Sequence, residues 1–363
     1  MPELSVNSHR GPYKVIFGNA FEGLEKGLAD NEHLIIDAKV AELYEQKLGK
    51  ALQGDCVLRI EATEANKSLE QFPGYAAHLL EHGIRRSHSL VAVGGGIIQD
   101  ITAFLAATLL RGLAWRFYPT TLLAQADSCI GSKSSVNVGA YKNQLGTFTP
   151  PDEIRISTDI LDTLSEADMR SGIGEMIKVH IISSLEDARR LAKDYPHLLK
   201  DGALLSRALV RSLEIKKNLI EIDEFDRKER LAMNYGHSFG HALESATDYA
   251  VPHGIGVTIG MDMANRLSQR LGLLENSALE ELSPMIQANY AGFESLSLPE
   301  NRFISALEKD KKNSGPAETA RFVLLRRPGE PVLKDCLLNN QFKEFCRGFF
   351  KELSDRAALG APR

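Results

Sequence analysis

The chain has 363 residues, of which 43% are hydrophobic and 25% charged, and its formal net charge is -5 at pH 7. That length predicts two domains with sizeable cores and the ordinary composition excludes extended disorder, while the acidic balance gives no electrostatic basis for nucleic acid and points instead to a small anionic ligand in a local basic pocket. Four scattered cysteines (Cys56, Cys129, Cys336 and Cys346) exclude a disulfide framework. Neither a leader in MPELSVNSHRGPYKV nor an apolar run of the roughly 18 residues that a membrane span needs is found, so a cytoplasmic location without membrane contact is expected.

Along the first 162 residues, YKVIFG, HLIIDA, CVLRIEA, SLVAVGGG and WRFYPTT read as strands separated by helical patterns, which predicts a largely parallel sheet covered by helices. From about Thr163 the strand signals fall away. SEADMRSGIGEMIKVHIISS opens with Ser165 and Asp168 in capping-box spacing, and amphipathic stretches continue through Arg270 and again from Asn301. The expected plan is α/β, a Rossmann-like domain over 1–162 followed by a mostly α-helical domain over 163–363. RFVLLRRPGEPVL predicts a late hairpin turning at Pro328 and Gly329, and DRAALGAPR a frayed tail.

Five clusters carry candidate chemistry. In SLVAVGGGIIQD a strand runs through Gly94, Gly95 and Gly96 into a helix with Asp100 on its first turn, presenting bare backbone amides where a phosphate is favoured. In PTTLLAQADSCIGSKSSVNVGAYKN, the groups Asp127, Lys133, Lys142 and Asn143 lie among small residues that admit a ligand close to the backbone. Glu175 and Lys178, three apart on one helix, are flanked by Gly172, Ile173, Gly174, Met176 and Ile177, so a carboxylate facing a cavity fits better than a surface ion pair. In RLAMNYGHSFGHALE, Arg230, Asn234, His237 and His241 fall on one helical face, beside Gly236 and Gly240, whose cost inside a helix implies that something approaches closely. With His253 these residues make three histidines within seventeen positions, which points to a metal; spacing alone leaves open which three of Glu175, His237, His241 and His253 bind it. Lys216 falls on the apolar stripe of Leu205, Leu209 and Leu219, where its charge requires a partner, a ligand or an escape to water.

In this order the runs GGGxxxD, PTTLLxxxDxxxGxK, the degenerate EATEANK, KN, ExxK and NxGHxxGHxxE followed by HG resemble the sugar phosphate cyclases, most closely their 3-dehydroquinate synthase branch. The resemblance extends from GPYKVIFG to KDKKNSGPAETARFVLL. It implies an N-terminal NAD-binding domain, a C-terminal metal-binding domain with the active site in the cleft, a zinc or cobalt ion held by Glu175, His237 and His253, and a homodimer. Cofactor contacts implied are Asp37, Glu64, Lys67, Gly95, Gly96, Asp100, Thr120, Thr121, Lys142 and Thr163. Substrate contacts implied are Asp127, Lys133, Asn143, Lys178 and Asn234, with Arg111 reaching in from a second subunit, Lys216 and Arg230 on a carboxylate, and Lys311 or Lys312 as a further lysine. His241 becomes a substrate-binding and proton-handling residue, and Lys178, Asn234 and Asp226 join it in catalysis.

The implied reaction takes a small-molecule sugar phosphate, 3-deoxy-D-arabino-heptulosonate 7-phosphate, through transient NAD-dependent oxidation, phosphate elimination, re-reduction and aldol closure to a carbocycle. Holding one flexible polyanion accounts for many lysines and few acid-base groups. Three departures from the family pattern stand out: SKSSVN replaces GKTGVN, HGIGVTIGMDMA replaces HGEAVAIGM, and Asp226 replaces a glutamate. They keep open a sister cyclase acting on an amino analogue, sedoheptulose 7-phosphate or glucose 6-phosphate, and more distantly a metal-dependent polyol dehydrogenase.

Overall fold

The computed structural model describes residues 3–139, 141–295, 300–308 and 319–360. The chain forms two compact units, Met1–Leu164 with Lys216–Phe225, and Ser165–Ile215 with Asp226–Arg363. The sequence placed everything from 163 onward in one domain, whereas the ten residues from Lys216 pack with the first unit.

The first unit is built on a seven-stranded sheet. Its strands are β1 (Glu3–Ser8), β2 (Gly11–Phe17), β3 (Glu32–Asp37), β4 (Val57–Ile60), β5 (Ser89–Gly94), β6 (Ala114–Pro119) and, beyond a separate hairpin of β7 (Val136–Val138) and β8 (Tyr141–Leu145), β9 (Glu153–Ile156). Spatial order is β1-β2-β9-β6-β5-β3-β4, and every pairing is parallel except the β1–β2 hairpin. Leu34, Ile35, Ile36, Val91, Ala92 and Val93 are all fully buried, as a parallel strand covered on both faces requires. Helices α1 (Ala38–Leu43) and α2 (Glu45–Leu48) bring Val40, Ala41 and Leu48 against Leu34, Ile36, Val91 and Val93. Helix α3 (Phe72–Glu81) precedes β5, and α4 (Gly96–Thr108) packs on β5, β6 and β3. The five strands read from the sequence are present. Strand β1 was not legible because only Val6 of its six residues is buried, and β7–β8 because only Val136 and Asn137 of its residues are buried; the segment read as a ligand loop contains a π-helical turn, Ala124–Ser128, and that hairpin.

The second unit is helical: α5 (Glu166–Ser183), α6 (Leu185–Asp194), the greater part of α7 (Gly202–Ile222), α8 (His237–Ala246), α9 (His253–Arg270), α10 (Asn276–Tyr290), α11 (Glu300–Glu308) and α12 (Asn340–Gly360), with the hairpin β10 (Thr319–Leu325) and β11 (Pro331–Leu337) between the last two. Ser165 caps α5 by accepting from the Asp168 amide at 3.1 Å, the capping predicted, and Gly329 makes the predicted hairpin turn at φ 85°. The tail expected to fray is helical as far as Gly360. Ser171 through Ile182 of α5 and Gly254 through Asn265 of α9 are buried without interruption, which makes these two helices the centre of the unit.

The polar stripe from Arg230 to His241 is not one helix. Glu229–Asn234 closes as a 3-10 turn, Gly236 breaks the chain with φ 77°, and α8 begins afresh at His237. The body that approaches the glycines is another backbone. A Cβ on Gly236 would lie 2.6 Å from the Val257 carbonyl oxygen, one on Gly240 3.0 Å from the Val257 Cα, and one on Gly254 1.8 Å from the Ser171 carbonyl oxygen. Helices α8 and α5 are thus each seated directly on the α9 backbone, closer than any residue with a Cβ permits.

Candidate active site

Carboxyl ends of parallel strands are where open α/β sheets bind ligands, at the point where strand order reverses. Here β3 leads to β4 on one side and the chain returns to β5 on the other, so the reversal lies between β3 and β5. Asp37 ends β3, the glycine turn ends β5, and Thr120 and Thr121 follow β6, so these expected cofactor residues share one edge. Gly95 precedes α4 without any side-chain cap, leaving the first-turn amides for an anion. A Cβ on Gly95 would stand 3.1 Å from Thr121 Cγ2. Asp37 caps α1, accepting from the Lys39 amide at 3.0 Å; burial, opposed by that bond, raises its pKa. Thr163 Oγ1 lies 3.2 Å from the Tyr44 hydroxyl.

Asp100 is the fifth residue of α4, one turn later than expected, and it organises the neighbouring groups. Its carboxylate accepts from Lys67 Nζ at 3.1 Å, from Ser135 Oγ at 2.8 Å and from the Ser135 amide at 3.0 Å. Burial raises its pKa, against the lowering by Lys67 and Ser135. Lys67 also donates to Asn143 Oδ1 at 3.0 Å, Asn137 holds Glu64 at 2.8 Å, and Lys142 Nζ stands 4.0 Å from Glu64. Asp100, Lys133, Ser135, Asn143, Thr147 and Phe148 line a cavity of about 400 Å3, the size of a small-molecule site. Ser135 belongs to the departing run SKSSVN, yet sequence reasoning gave it no role.

Lys216 is buried with a partner in its own unit, Asp127, whose carboxylate lies 2.5 Å from Nζ and whose carbonyl also accepts from it. The π-helical turn Ala124–Ser128 presents Asp127 for this pairing. Glu221 and Glu224 tie the same segment to the β1–β2 turn, through Asn7 at 2.9 Å and through Ser8 and the His9 amide at 2.7 Å. Arg111 sits exposed after α4 with φ 66°, roughly 20 Å from the glycine turn along that 13-residue helix, so the structure does not bring it to this site.

In the second unit the glycine contacts bring α5, α8 and α9 together at one point. Glu175 and Lys178 of α5 form a fully buried ion pair through Oε2. Glu175 Oε1, buried and accepting no hydrogen bond, faces His237 Nε2 at 3.5 Å and His253 Nε2 at 3.4 Å. Each imidazole is engaged at its other nitrogen, His237 Nδ1 with the Tyr235 carbonyl at 3.2 Å and His253 Nδ1 with Glu244 Oε1 at 2.6 Å. His241 brings a third imidazole to within 4.8 Å of those of His237 and His253, but is exposed. A buried carboxylate oxygen without a donor, opposite two imidazole nitrogens, suits a divalent cation of the zinc or cobalt type; Glu175, His237 and His253 could supply one such set, and the three imidazoles of His237, His241 and His253 another. Burial lowers the His253 pKa, but Glu175 and Glu244 outweigh it and raise it to about 10, so the site draws positive charge.

Arg230 is buried in the turn that packs on α5, and Asn234 ends that turn, donating to the Leu231 carbonyl at 3.2 Å. Asp226 is half-buried with φ 58°. Lys311 and Lys312 lie outside the described residues. Glu244 was missed; its signal was the final glutamate of NxGHxxGHxxE, one turn beyond His241.

Two family models, described as 3-dehydroquinate synthase N-terminal and C-terminal, match residues 57–171 and 172–313. A 3-dehydroquinate synthase of Dehalococcoides mccartyi is 33% identical over 350 residues, covering 93% of this chain and 97% of the relative. The chain belongs to the 3-dehydroquinate synthase family. Among solved structures, 2-deoxy-scyllo-inosose synthase in complex with carbaglucose-6-phosphate, NAD+ and Co2+ superposes with a TM-score of 0.81 at 20% identity, covering 97% of this chain and all of that one, a likeness of fold. The 2-epi-5-epi-valiolone synthase of Streptomyces hygroscopicus, with NAD+ and Zn2+ bound, gives 0.77 at 25% identity, covering 95% and 97%. The α/β unit followed by a helical unit is the architecture of this family.

Proposed function

We propose that the chain is a 3-dehydroquinate synthase, a phosphate-eliminating carbon-oxygen lyase that converts 3-deoxy-D-arabino-heptulosonate 7-phosphate to 3-dehydroquinate and phosphate. The observation that carries this reading is the convergence of Glu175 Oε1 with the Nε2 atoms of His237 and His253, in a chain related over its length to 3-dehydroquinate synthases. The first unit is the nucleotide half and the second the metal half. When bound, NAD+ accepts and returns one hydride, while a zinc or cobalt ion polarises the ring alcohol.

The protein's own groups do the rest by holding and by moving protons. Gly95 and Gly96 offer amides to the pyrophosphate, with Asp37, Glu64, Lys67, Asp100, Thr120, Thr121, Lys142 and Thr163 around the nucleotide. Lys216 and Arg230 grip the carboxylate. Lys133, Asn143, Lys178 and Asn234 orient phosphate and hydroxyls, with Asp127 keeping the Lys216 ammonium in place. His241, the exposed imidazole, handles protons at the substrate, and Asp226 accepts one. A homodimer in the cytoplasm completes the proposal: the distance of Arg111 from its own glycine turn suits a role in a neighbouring subunit, and four scattered cysteines with no disulfide framework suit a reducing compartment. No described helix is long and apolar enough to cross a membrane.

Incubation of the pure chain with the heptulosonate phosphate, NAD+ and zinc or cobalt is expected to release phosphate without net NADH. Release from sedoheptulose 7-phosphate but not from the carboxylate substrate would move the chain to a sister activity. Accumulation of NADH with a simple polyol would replace the cyclase by a dehydrogenase.

A further inference from the structure

The two histidines opposite Glu175 are held differently. His237 Nδ1 meets a neutral carbonyl, that of Tyr235, from the turn just before its own helix. His253 Nδ1 meets a carboxylate from another helix: Glu244, two turns along α8 from His237, reaches the first residue of α9 at 2.6 Å. His253 is the looser of the two rings, with 37% of its side chain exposed against 12% for His237, while Glu244 is 10% exposed. Gly256 lies directly against Glu244. A Cβ there would stand 3.5 Å from Glu244 Cγ and 3.7 Å from Oε1, so a side chain longer than a methyl would push the carboxylate off the first turn of α9. A half-open imidazole that can rotate and exchange tautomers is a poor ligand, and an ionised carboxylate, which only accepts hydrogen bonds, holds the partner nitrogen as N–H.

We propose that Glu244 is a positioning residue: it fixes the His253 ring with Nδ1–H directed at its carboxylate and so aims the Nε2 lone pair, beside Glu175 and His237, at a divalent cation. This inference rests on reading the cluster as the metal centre. The charge of Glu244 adds basicity to the ring, and loss of such an outer contact typically weakens metal binding by about 10–100-fold.

Zn2+ and Co2+ affinities of the wild-type chain, E244A, E244Q and E244D are measured by chelator competition, with the visible spectrum of the Co2+ forms and the unfolding temperature of the metal-free forms. E244A is expected to bind about 10–100-fold more weakly with an altered Co2+ spectrum. E244D, too short to reach, behaves like E244A. E244Q keeps the acceptor without the charge, so it restores the spectrum and loses at least about 3-fold in affinity, and it decides the matter alone should E244A not fold. Affinity unchanged in E244A and E244Q, or equal losses in E244A and E244Q accompanied by lowered unfolding temperatures, would overturn the positioning role while leaving the metal centre intact. A wild-type chain that binds neither ion would overturn the metal centre and the role of Glu244 with it.

Discussion

Gly254→Ala tests the coupling between helix packing and the metal cluster. The glycine directly follows His253, and its missing Cβ would stand 1.8 Å from the Ser171 carbonyl oxygen and 2.6 Å from its carbon. These are backbone atoms of α5 and cannot rotate away. Restoring an ordinary contact of 3.4 Å leaves 1.6 Å to be found by parting α9 from α5. Metal ligands tolerate about 0.2 Å, so on the proposed assignment the same displacement carries His253 out of reach of an ion shared with Glu175. The Gly254 amide also donates to Ser171 Oγ at 2.9 Å, a bond that parting breaks. Overpacking against a rigid neighbour costs about 3 kcal/mol, the upper end of its usual range, which is roughly 6–12 °C in unfolding temperature for a unit of this size. Gly348→Ala is the control: a methyl added to that exposed glycine of α12 would meet nothing within 4 Å, and alanine there adds up to about 1 kcal/mol of helix stability. Calorimetry and bound-metal analysis of both variants decide the matter. A Gly254→Ala protein that keeps wild-type unfolding temperature and metal content would refute the reasoning.

Lys216→Ala is expected to reduce kcat/KM for the carboxylate substrate by about 1.5–3 kcal/mol, or roughly 10- to 150-fold, with NAD affinity retained; kinetics and nucleotide titration check it, and a wild-type rate contradicts the carboxylate role. His237→Ala is expected to abolish bound metal and activity together, as read by elemental analysis; full metal occupancy would remove His237 from the ligand set. Asp187 is held far below the usual carboxylate range, first by its two hydrogen bonds from Arg211 at 2.9 Å and then by Ser183 and Ser184, with burial opposing. A depressed folded pKa contributes stability above the unfolded value near 4 and loses it as pH falls towards the folded one, so Asp187→Asn should cost about 2 kcal/mol at neutral pH and progressively less below pH 4. Urea unfolding across that range checks it, and a cost independent of pH would count against the account.

The central strands were legible because burial on both faces leaves an apolar run, as at residues 34–36 and 90–93. Ser165 was legible because a helix start is a local event. The break at Gly236 was not: a period of 3.6 passes smoothly over a glycine, and the left-handed turn is imposed by α9, which lies beyond it in the chain. The same holds for the partners of charged groups. Lys216 announced its need on an apolar stripe, but Asp127, 89 positions earlier, could be identified as the answer only in three dimensions. Glu244 had only the final position of NxGHxxGHxxE to mark it, and a glutamate one turn from a histidine resembles any solvated helix face until α9 sets His253 beside it.

The return of Lys216–Phe225 to the first unit has a bearing on how the molecule is made. A ribosome must deliver 225 residues before that unit is complete, and until then Asp127 lacks its ammonium and the β1–β2 turn lacks Glu221 and Glu224. A gene cut after codon 164 would therefore encode a nucleotide module with a missing splint, and shuffling such halves between relatives would succeed only if the ten-residue strip travelled with the sheet it braces.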